Sequence, residues 1–438
     1  MMGIIPMIPS PTESESSDED PFKGLVTTQS SEQSGASSDN ASWQLPGGFD
    51  FSYILKSLRP SNASPQIPGA LPEEPPTKHV PWFFYANGGI VTSEGKNASP
   101  CQKRTTRLTY QLGHILSQYI LSKGEITIAE TYTTLRTAIN NLRLNCIVCG
   151  SSLGVKLHRS TVCAKPPCRA TWLKASLNVQ MGDFHHDPQV ADLLLSAVQA
   201  AAHTSNTALL PGCTESSLSE VTRLLGSIPS LKKLQSSADL NPVFSSLGKR
   251  TEALVSWALS HHSGYLLSAT GPLKIPSFPG AHQFILANAA PDMEKFFAQQ
   301  LAGQPTHVMF HGTSLDRLFA ILCQGLRVCS GTALQRHGAF AGNGIYVTDN
   351  PATAWGYATP SVSKGGGWQS STFSNVRVLL GIEAAASVPS TALQVVANPA
   401  QLLLRYVFVL PVGVNAPLVQ HIEPSMKSAF DSLRRGVM

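Results

Sequence analysis

The stretch that decides the fold runs from His311 to Tyr346: His311-Gly312-Thr313, a short helix, then Gly342-Asn343-Gly344-Ile345-Tyr346. Just before it, Thr306 to His311 alternates, with Val308 and Phe310 on one face and His307, Met309 and His311 on the other, which predicts a half-buried strand. Thr313 or Ser314 offers an N-cap oxygen, Asp316 falls in the first turn, and Leu315, Leu318, Phe319 and Leu322 recur at helical spacing. Gly325 is a natural helix stop. Leu326-Arg327-Val328 returns to extended chain, Gly338, Gly342 and Gly344 mark turns, and Ile345-Tyr346-Val347 predicts another strand. A strand, a helix and a strand whose polar ends share one cleft suit a dinucleotide. Taken singly, the same residues have plainer readings: a strand His is usually structural and a Gly pair usually a turn.

In order and with this spacing, the series resembles the NAD-binding half of the poly(ADP-ribose) polymerase family. The resemblance implies that His311 hydrogen-bonds a ribose hydroxyl of NAD, that the Gly312 backbone pairs with the nicotinamide carboxamide, and that Thr313 touches the same group. A glycine is expected there because a side chain would hold the carboxamide off the backbone. Tyr346 and Tyr357, eleven residues apart, stand where the family sandwiches the nicotinamide ring. Arg327 matches a basic residue near the adenosine and pyrophosphate. The run Leu334-Gln335-Arg336-His337-Gly338-Ala339 is most similar to the branch that carries a cysteine-rich N-terminal half and transfers a single ADP-ribose.

Founding members of the family place a Glu thirteen residues before a Tyr in a late strand. Leu402 to Val409 resembles that strand, and counting thirteen back from Tyr406 gives Leu393, so the triad reads His311, Tyr346, Leu393. A carboxylate there would bind the nicotinamide-ribose hydroxyl, favour an oxocarbenium-like transition state and polarise an acceptor hydroxyl for elongation. Leucine can do none of this. The resemblance therefore implies a protein mono-ADP-ribosyltransferase, with a catalytically weak or inactive NAD-binding pseudoenzyme, or a zinc-dependent interaction protein, as the alternatives. Glu383 is the nearest upstream carboxylate, and nothing in its spacing brings it into the cleft.

Cys146-x2-Cys149 and Cys163-x4-Cys168 form two close pairs thirteen residues apart. Such pairs suit a structural, tetrahedral zinc ion, since each short pair bites the metal and the loop closes the chelate. His158 could replace one thiolate, and buried free thiols or a disulfide remain the alternative. The same branch of the family carries a cysteine cluster at this relative place. Asp187-Pro188 then opens a helix through Val190, Leu193, Leu194 and Val198, with Asp as N-cap.

The 438 residues allow two or three domains, and 42% hydrophobic content is ordinary for a globular chain. Residues 1–78 hold ten acidic and four basic groups and abound in Ser and Pro, which predicts a disordered acidic segment. Since the whole chain is plus five, the remainder is plus eleven. A basic body fits an anionic dinucleotide; with no basic-aromatic stripe visible, nucleic acid is the lesser expectation. Eight cysteines, half of them with a metal explanation, do not make a secreted disulfide scaffold, and an intracellular location, nucleus or cytoplasm, is expected. No apolar run of spanning length occurs; Leu402 to Val412 is broken by Arg405 and Pro411. No membrane anchor is expected, and the partners are protein acceptors, including the chain itself.

Ser217 to Ile228 and Lys249 to His262 predict helices, with Trp257 and Phe284 as core. Ala358 to Ser374, with three glycines at 365–367, predicts a polar loop beside the cleft. The expected fold class is α+β: a disordered segment 1–78, an α-rich module with a four-cysteine zinc site over 79–205, a helical support region over 206–300, an ADP-ribosyltransferase fold of two packed, mostly antiparallel sheets over 301–415, and a tail over 416–438. The resemblance spans about residues 140–412.

Overall fold

The computed structural model describes residues 127–435 apart from 175–186, 238, 277, 333, 336–340, 363–367, 369–370, 374 and 416–417, with positions 115 and 119 and four short strands before them. Those strands form two antiparallel pairs, β1 (Gln44–Leu45) with β2 (Phe49–Asp50) and β3 (Phe83–Ala86) with β4 (Gly89–Thr92). Most of the acidic segment 1–78, the turn at Gly338 and the three glycines at 365–367 lie outside the described residues.

The core is built on β12 (Leu402–Pro411), in which every residue from Leu402 to Leu410 is buried. An apolar run of that kind is what a strand covered on both faces requires. Around it lie β5 (Tyr265–Ser268), β6 (His282–Asn288), β7 (Thr306–Thr313) and β10 (Asn375–Ala385), in the order β5-β6-β12-β10-β7. All pairings are antiparallel, and β9 (Ser361–Val362) adds to the start of β10. A second, two-stranded antiparallel sheet pairs β8 (Ile345–Val347) with β11 (Gln394–Val396). A bridge between Phe310 and Thr348 ties it to the free edge of β7. The α+β class with antiparallel sheets is as expected. The large sheet, however, draws β5 and β6 from the segment read as helical support.

Strand β7 is covered on both sides rather than one. Val308 and Phe310 join a cluster with Tyr406, Phe408 and the C-terminal helix, while Met309 faces the larger cluster under the N-terminal helices. The segment read as a tail contains a helix, Val419–Arg435, whose Ile422, Met426, Phe430 and Leu433 are buried against the sheet. Gly381 makes this approach possible: a Cβ there would stand 2.4 Å from the Met426 methyl.

Between Gly381 and Ile382 the partner on β12 jumps from Tyr406 to Leu404, so Arg405 is the extra residue of a β-bulge. The bulge turns its guanidinium into a buried network. Arg405 meets Glu294 at 2.7 Å and Glu383 at 2.8 Å, and Glu383 also meets Arg434 of the C-terminal helix. Burial alone would push the Glu383 carboxyl up, yet Arg405 and Arg434 hold it below the usual carboxylate range. Glu383 therefore points away from the cleft and fastens the last helix to the sheet. Removing Arg405 strips the buried Glu294 of its cation and leaves Glu383 with Arg434 alone, so Arg405→Met is expected to cost about 3 kcal/mol, read as a lower urea midpoint with an unchanged slope.

The helices are α1 (Ile128–Asn141), α2 (Pro166–Lys174), α3 (Pro188–Ala202), α4 (Leu218–Gly226), α5 (Leu231–Ser236), α6 (Asn241–Leu247), α7 (Lys249–Ser260), α8 (Pro291–Leu301), α9 (Leu315–Gln324), α10 (Pro351–Tyr357) and α11 (Val419–Arg435). Helix α3 is almost wholly buried among the sheet, α7 and α9. Asp187 stands at its N-cap with Pro188 following, but its carboxylate makes no cap bond and instead accepts from the amide and hydroxyl of Ser268 at 2.6 and 2.7 Å. One turn on, buried Asp192 accepts from Trp368 Nε1 at 2.9 Å and from the amide and hydroxyl of Thr372. The segment expected to be a polar loop is thus pinned to the core at Trp368 and Phe373, both 1% exposed. Trp257 and Phe284 are core residues, and Trp257 packs against Phe319 with ring centroids 4.8 Å apart.

Candidate functional site

A cavity of about 300 Å³ opens where the edge of β7, the helix α9, the ribbon β8–β11 and α10 converge. His311, Gly312, Thr313, Arg327, Tyr346, Tyr357 and Leu393 all line it, so the structure brings every cleft residue expected from the sequence into one place. Tyr346 lies on β8 opposite Val395 of β11, and Leu393 just precedes β11 at the cleft mouth, 41% exposed.

His311 Nδ1 lies 2.8 Å from the carbonyl of Tyr346. A carbonyl can only accept, so Nδ1 carries the proton and the neutral ring keeps an accepting lone pair on Nε2. Burial pushes the His311 ring below its usual range; the Tyr346 hydrogen bond opposes this and the nearby Arg317 charge adds to it. The imidazole is therefore neutral near pH 7 and suited to accept from a sugar hydroxyl. Tyr346 is held at both ends: its hydroxyl accepts from the Ala341 amide at 2.9 Å and donates to the Gly342 carbonyl at 2.8 Å. Tyr357, at the end of α10, is 47% exposed.

The reason for glycine at 312 differs from the one expected. A Cβ there would stand 1.8 Å from the carbonyl oxygen of Ala354 and 2.8 Å from the amide of Ala358. The space is filled by α10 and not reserved for a ligand. The backbone of Gly312 is nevertheless available to the cleft. Phe310 exchanges its N–H and C=O with Thr348 on the side of β7 away from β10, and residue 312 shares that orientation by strand parity. Gly312→Ala must displace α10, which carries Tyr357. We expect that variant to weaken binding of a nicotinamide-bearing ligand about ten-fold while adding at most about 3 kcal/mol of instability, separable by titration calorimetry and thermal unfolding.

Helix α9 starts at Ser314 as expected, but without a side-chain cap from that residue; the Leu315 amide donates instead to the Ser361 hydroxyl at 2.9 Å. Its apolar positions face the core. The opposite face, Arg317, Ala320, Ile321 and Gln324, lines the cleft. Arg317 Nη1 donates to the Leu334 carbonyl, while Arg317 Nε and Gln324 Oε1 are buried without a hydrogen-bond partner among the described residues. Sequence reasoning misses both residues. Their spacing of seven is legible as the polar face of an amphipathic helix, but such a face normally meets solvent.

The four cysteines also converge. The sulfurs of Cys146, Cys149, Cys163 and Cys168 lie within 4.8 Å of one another, and Cys149 and Cys163 are 3.8 Å apart. All four are free thiols, so the disulfide alternative does not hold. The set could hold a metal ion. A tetrahedron of sulfurs about 2.3 Å from a central ion has edges of roughly 3.8 Å, so the donors and their separations fit. His158 is not among the ligands; its amide and that of Arg159 donate to the side chain of Asn288, docking this module on the body. Cys146 and Cys163 come from loops and Cys168 from α2, and only Ile147, Leu153, Leu157, Val162, Trp172 and two of the cysteines form the module's own buried cluster.

Residues 285–409 match the family model described as the poly(ADP-ribose) polymerase catalytic domain. That match runs over the sheet from within β6 into β12. Among curated relatives, the protein mono-ADP-ribosyltransferases PARP8 of Mus musculus and of Homo sapiens are each 24% identical over 239 residues, covering 49% of this chain and 28% of the relative. The chain spans well under a third of the length of those relatives. Among the described residues no helix is long and apolar enough to cross a membrane.

Proposed function

We propose that the protein is an NAD-dependent mono-ADP-ribosyltransferase acting on protein side chains. The observation that carries this reading is one cleft that joins a neutral, oriented His311, an outward-facing Gly312 backbone and two tyrosines. The Gly312 N–H and C=O form a donor and an acceptor complementary to a primary carboxamide, with the Thr313 hydroxyl beside them. Tyr346 and Tyr357 hold the nicotinamide ring between them, and His311 Nε2 accepts from a ribose hydroxyl. Arg327 and Arg317 provide charge for the pyrophosphate, and the apolar step at Ala320 and Ile321, with Gln324 as an acceptor, suits the adenosine end.

In the reaction the glycosidic bond to the nicotinamide nitrogen breaks, and its electron pair neutralises the pyridinium ring. The ribose carbon, positively charged as the bond lengthens, is captured by a lone pair of the ionised acceptor, so no proton has to be removed. The cleft contributes by holding the ring and the ribose in a strained, water-poor alignment. Leu393 supplies no general base. An acceptor that is already nucleophilic, a carboxylate or a thiolate, is therefore favoured, and extension through a ribose hydroxyl is not.

A pseudoenzyme that only holds NAD is the second reading, favoured by the same Leu393. Radiolabelled NAD separates the two: transfer into protein that Tyr346→Ala abolishes supports the enzyme, whereas a thermal shift with NAD and no label supports the binder. Zinc is the proposed occupant of the four thiolates, in a structural role, because four sulfur donors leave no position open for a substrate.

A further inference from the structure

The module around the four thiols differs in charge from the rest of the protein. Residues 127–174 contain seven Lys or Arg residues and one acidic residue, Glu130, a balance of plus six. Glu130 is occupied in a capping box, accepting from the Thr127 amide at 3.2 Å while its own amide donates to the Thr127 hydroxyl. Arg136, Arg143, Lys156, Lys165 and Lys174 are exposed, and none takes part in an ion pair among the described residues. Residues 175–438 hold sixteen Lys or Arg residues against fourteen acidic ones, a balance of only plus two, and Arg223 and Arg250 there are paired with Glu215 and Glu220.

Helix α1 adds a second feature. Tyr132 is 63% exposed, and Arg136 follows it four residues on, which places both on one side of the helix, while Arg143 is exposed two residues past the helix end. Glu130 lies on the other side. In the linear sequence Thr133, Thr134 and Leu135 separate Tyr132 from Arg136, and the two share a face only once the helix forms.

We propose that this face binds single-stranded nucleic acid, with Tyr132 stacking on an unpaired base and Arg136 and Arg143 meeting flanking phosphates. Unmatched cations alone would suit any polyanion. The exposed ring one helical turn from the Arg136 guanidinium adds a stacking platform that an acidic peptide has no flat group to fill. A membrane surface would call for a larger apolar face than Tyr132 and Ile139 provide.

The experiment is fluorescence anisotropy of a labelled, mixed-sequence RNA of ~15 nucleotides with the full chain, over a salt series and without NAD. Affinity should fall with salt. Arg136→Ala with Arg143→Ala should flatten the slope of log affinity against log salt by about 1.4, two phosphates' worth. Tyr132→Ala should weaken binding about ten-fold without changing that slope. All three residues are exposed, so the variants should unfold at the parent temperature. The proposal is overturned if binding is undetectable or the double arginine variant binds like the parent. Single-stranded DNA of the same sequence should bind comparably, and the proposal is equally overturned if duplex DNA, polyglutamate or anionic vesicles displace the RNA while Tyr132→Ala has no effect.

Discussion

Replacing His311 with alanine is expected to lower ADP-ribose transfer about 10³-fold. Roughly 10² of this comes from misplacing the reacting ribose, since small errors of alignment are costly in a preorganised site. The remainder comes from the Tyr346 carbonyl, which loses the Nδ1 donor 2.8 Å away, and from the lost bond to the sugar. The same ring sets a pH dependence. Its protonation range lies below the ordinary 6.5, so Nε2 keeps its lone pair at neutral pH and gains a proton only in acid. NAD affinity should be flat above about pH 6.5 and fall below it. The stability linkage runs the same way: as pH falls, the unfolded ring takes up a proton before the folded one, so the ring's contribution to stability is present above its unfolded range and lost through its folded range. The check is kcat/KM and NAD affinity for parent and His311→Ala over about pH 5 to 8. Equal profiles for the two would show that another group sets the acid limb.

Removing the zinc proposed for the four thiolates should be the largest single perturbation of the fold. The cysteine module has a buried cluster of seven residues, too few to order its loops unaided. Metal binding to such a set contributes on the order of 10 kcal/mol. Chelation, or Cys146→Ser, should therefore unfold residues 144–174 and abolish amide protection there, while the sheet around β12, with its own core, stays protected. Hydrogen exchange read by mass spectrometry would show this, and elemental analysis should find about one zinc per chain. Retained protection in a metal-free protein would mean the thiols are packing residues only.

The cleft is legible in the sequence because its parts are local. The strand at β7, the helix α9 and the strand at β8 follow from periodicity and glycine placement within one short stretch, and the two cysteine pairs from their spacing. What is not legible depends on partners distant in the chain. The cap of α9 comes from Ser361, the Asp187 carboxylate serves Ser268, and Arg405 finds Glu294 across the fold only because a bulge re-aims it. Arg317 and Gln324 read as an ordinary solvated helix face until the ribbon β8–β11 closes over the cavity they line. The tail over 416–438 has little pattern beside the catalytic stretch, although Ile422, Met426, Phe430 and Leu433 keep helical spacing and are buried. Glycine at 312 is expected for a ligand's sake, and it is α10 that occupies the space.

The most direct measurement is incubation of the full chain and a protein mixture with isotope-labelled NAD, followed by mass spectrometry of the modified peptides. Single ADP-ribose units on Cys, Asp or Glu side chains, absent from the Tyr346→Ala variant, are the predicted result. Chains of several units, or no modification together with no NAD-dependent change in thermal stability, would contradict it.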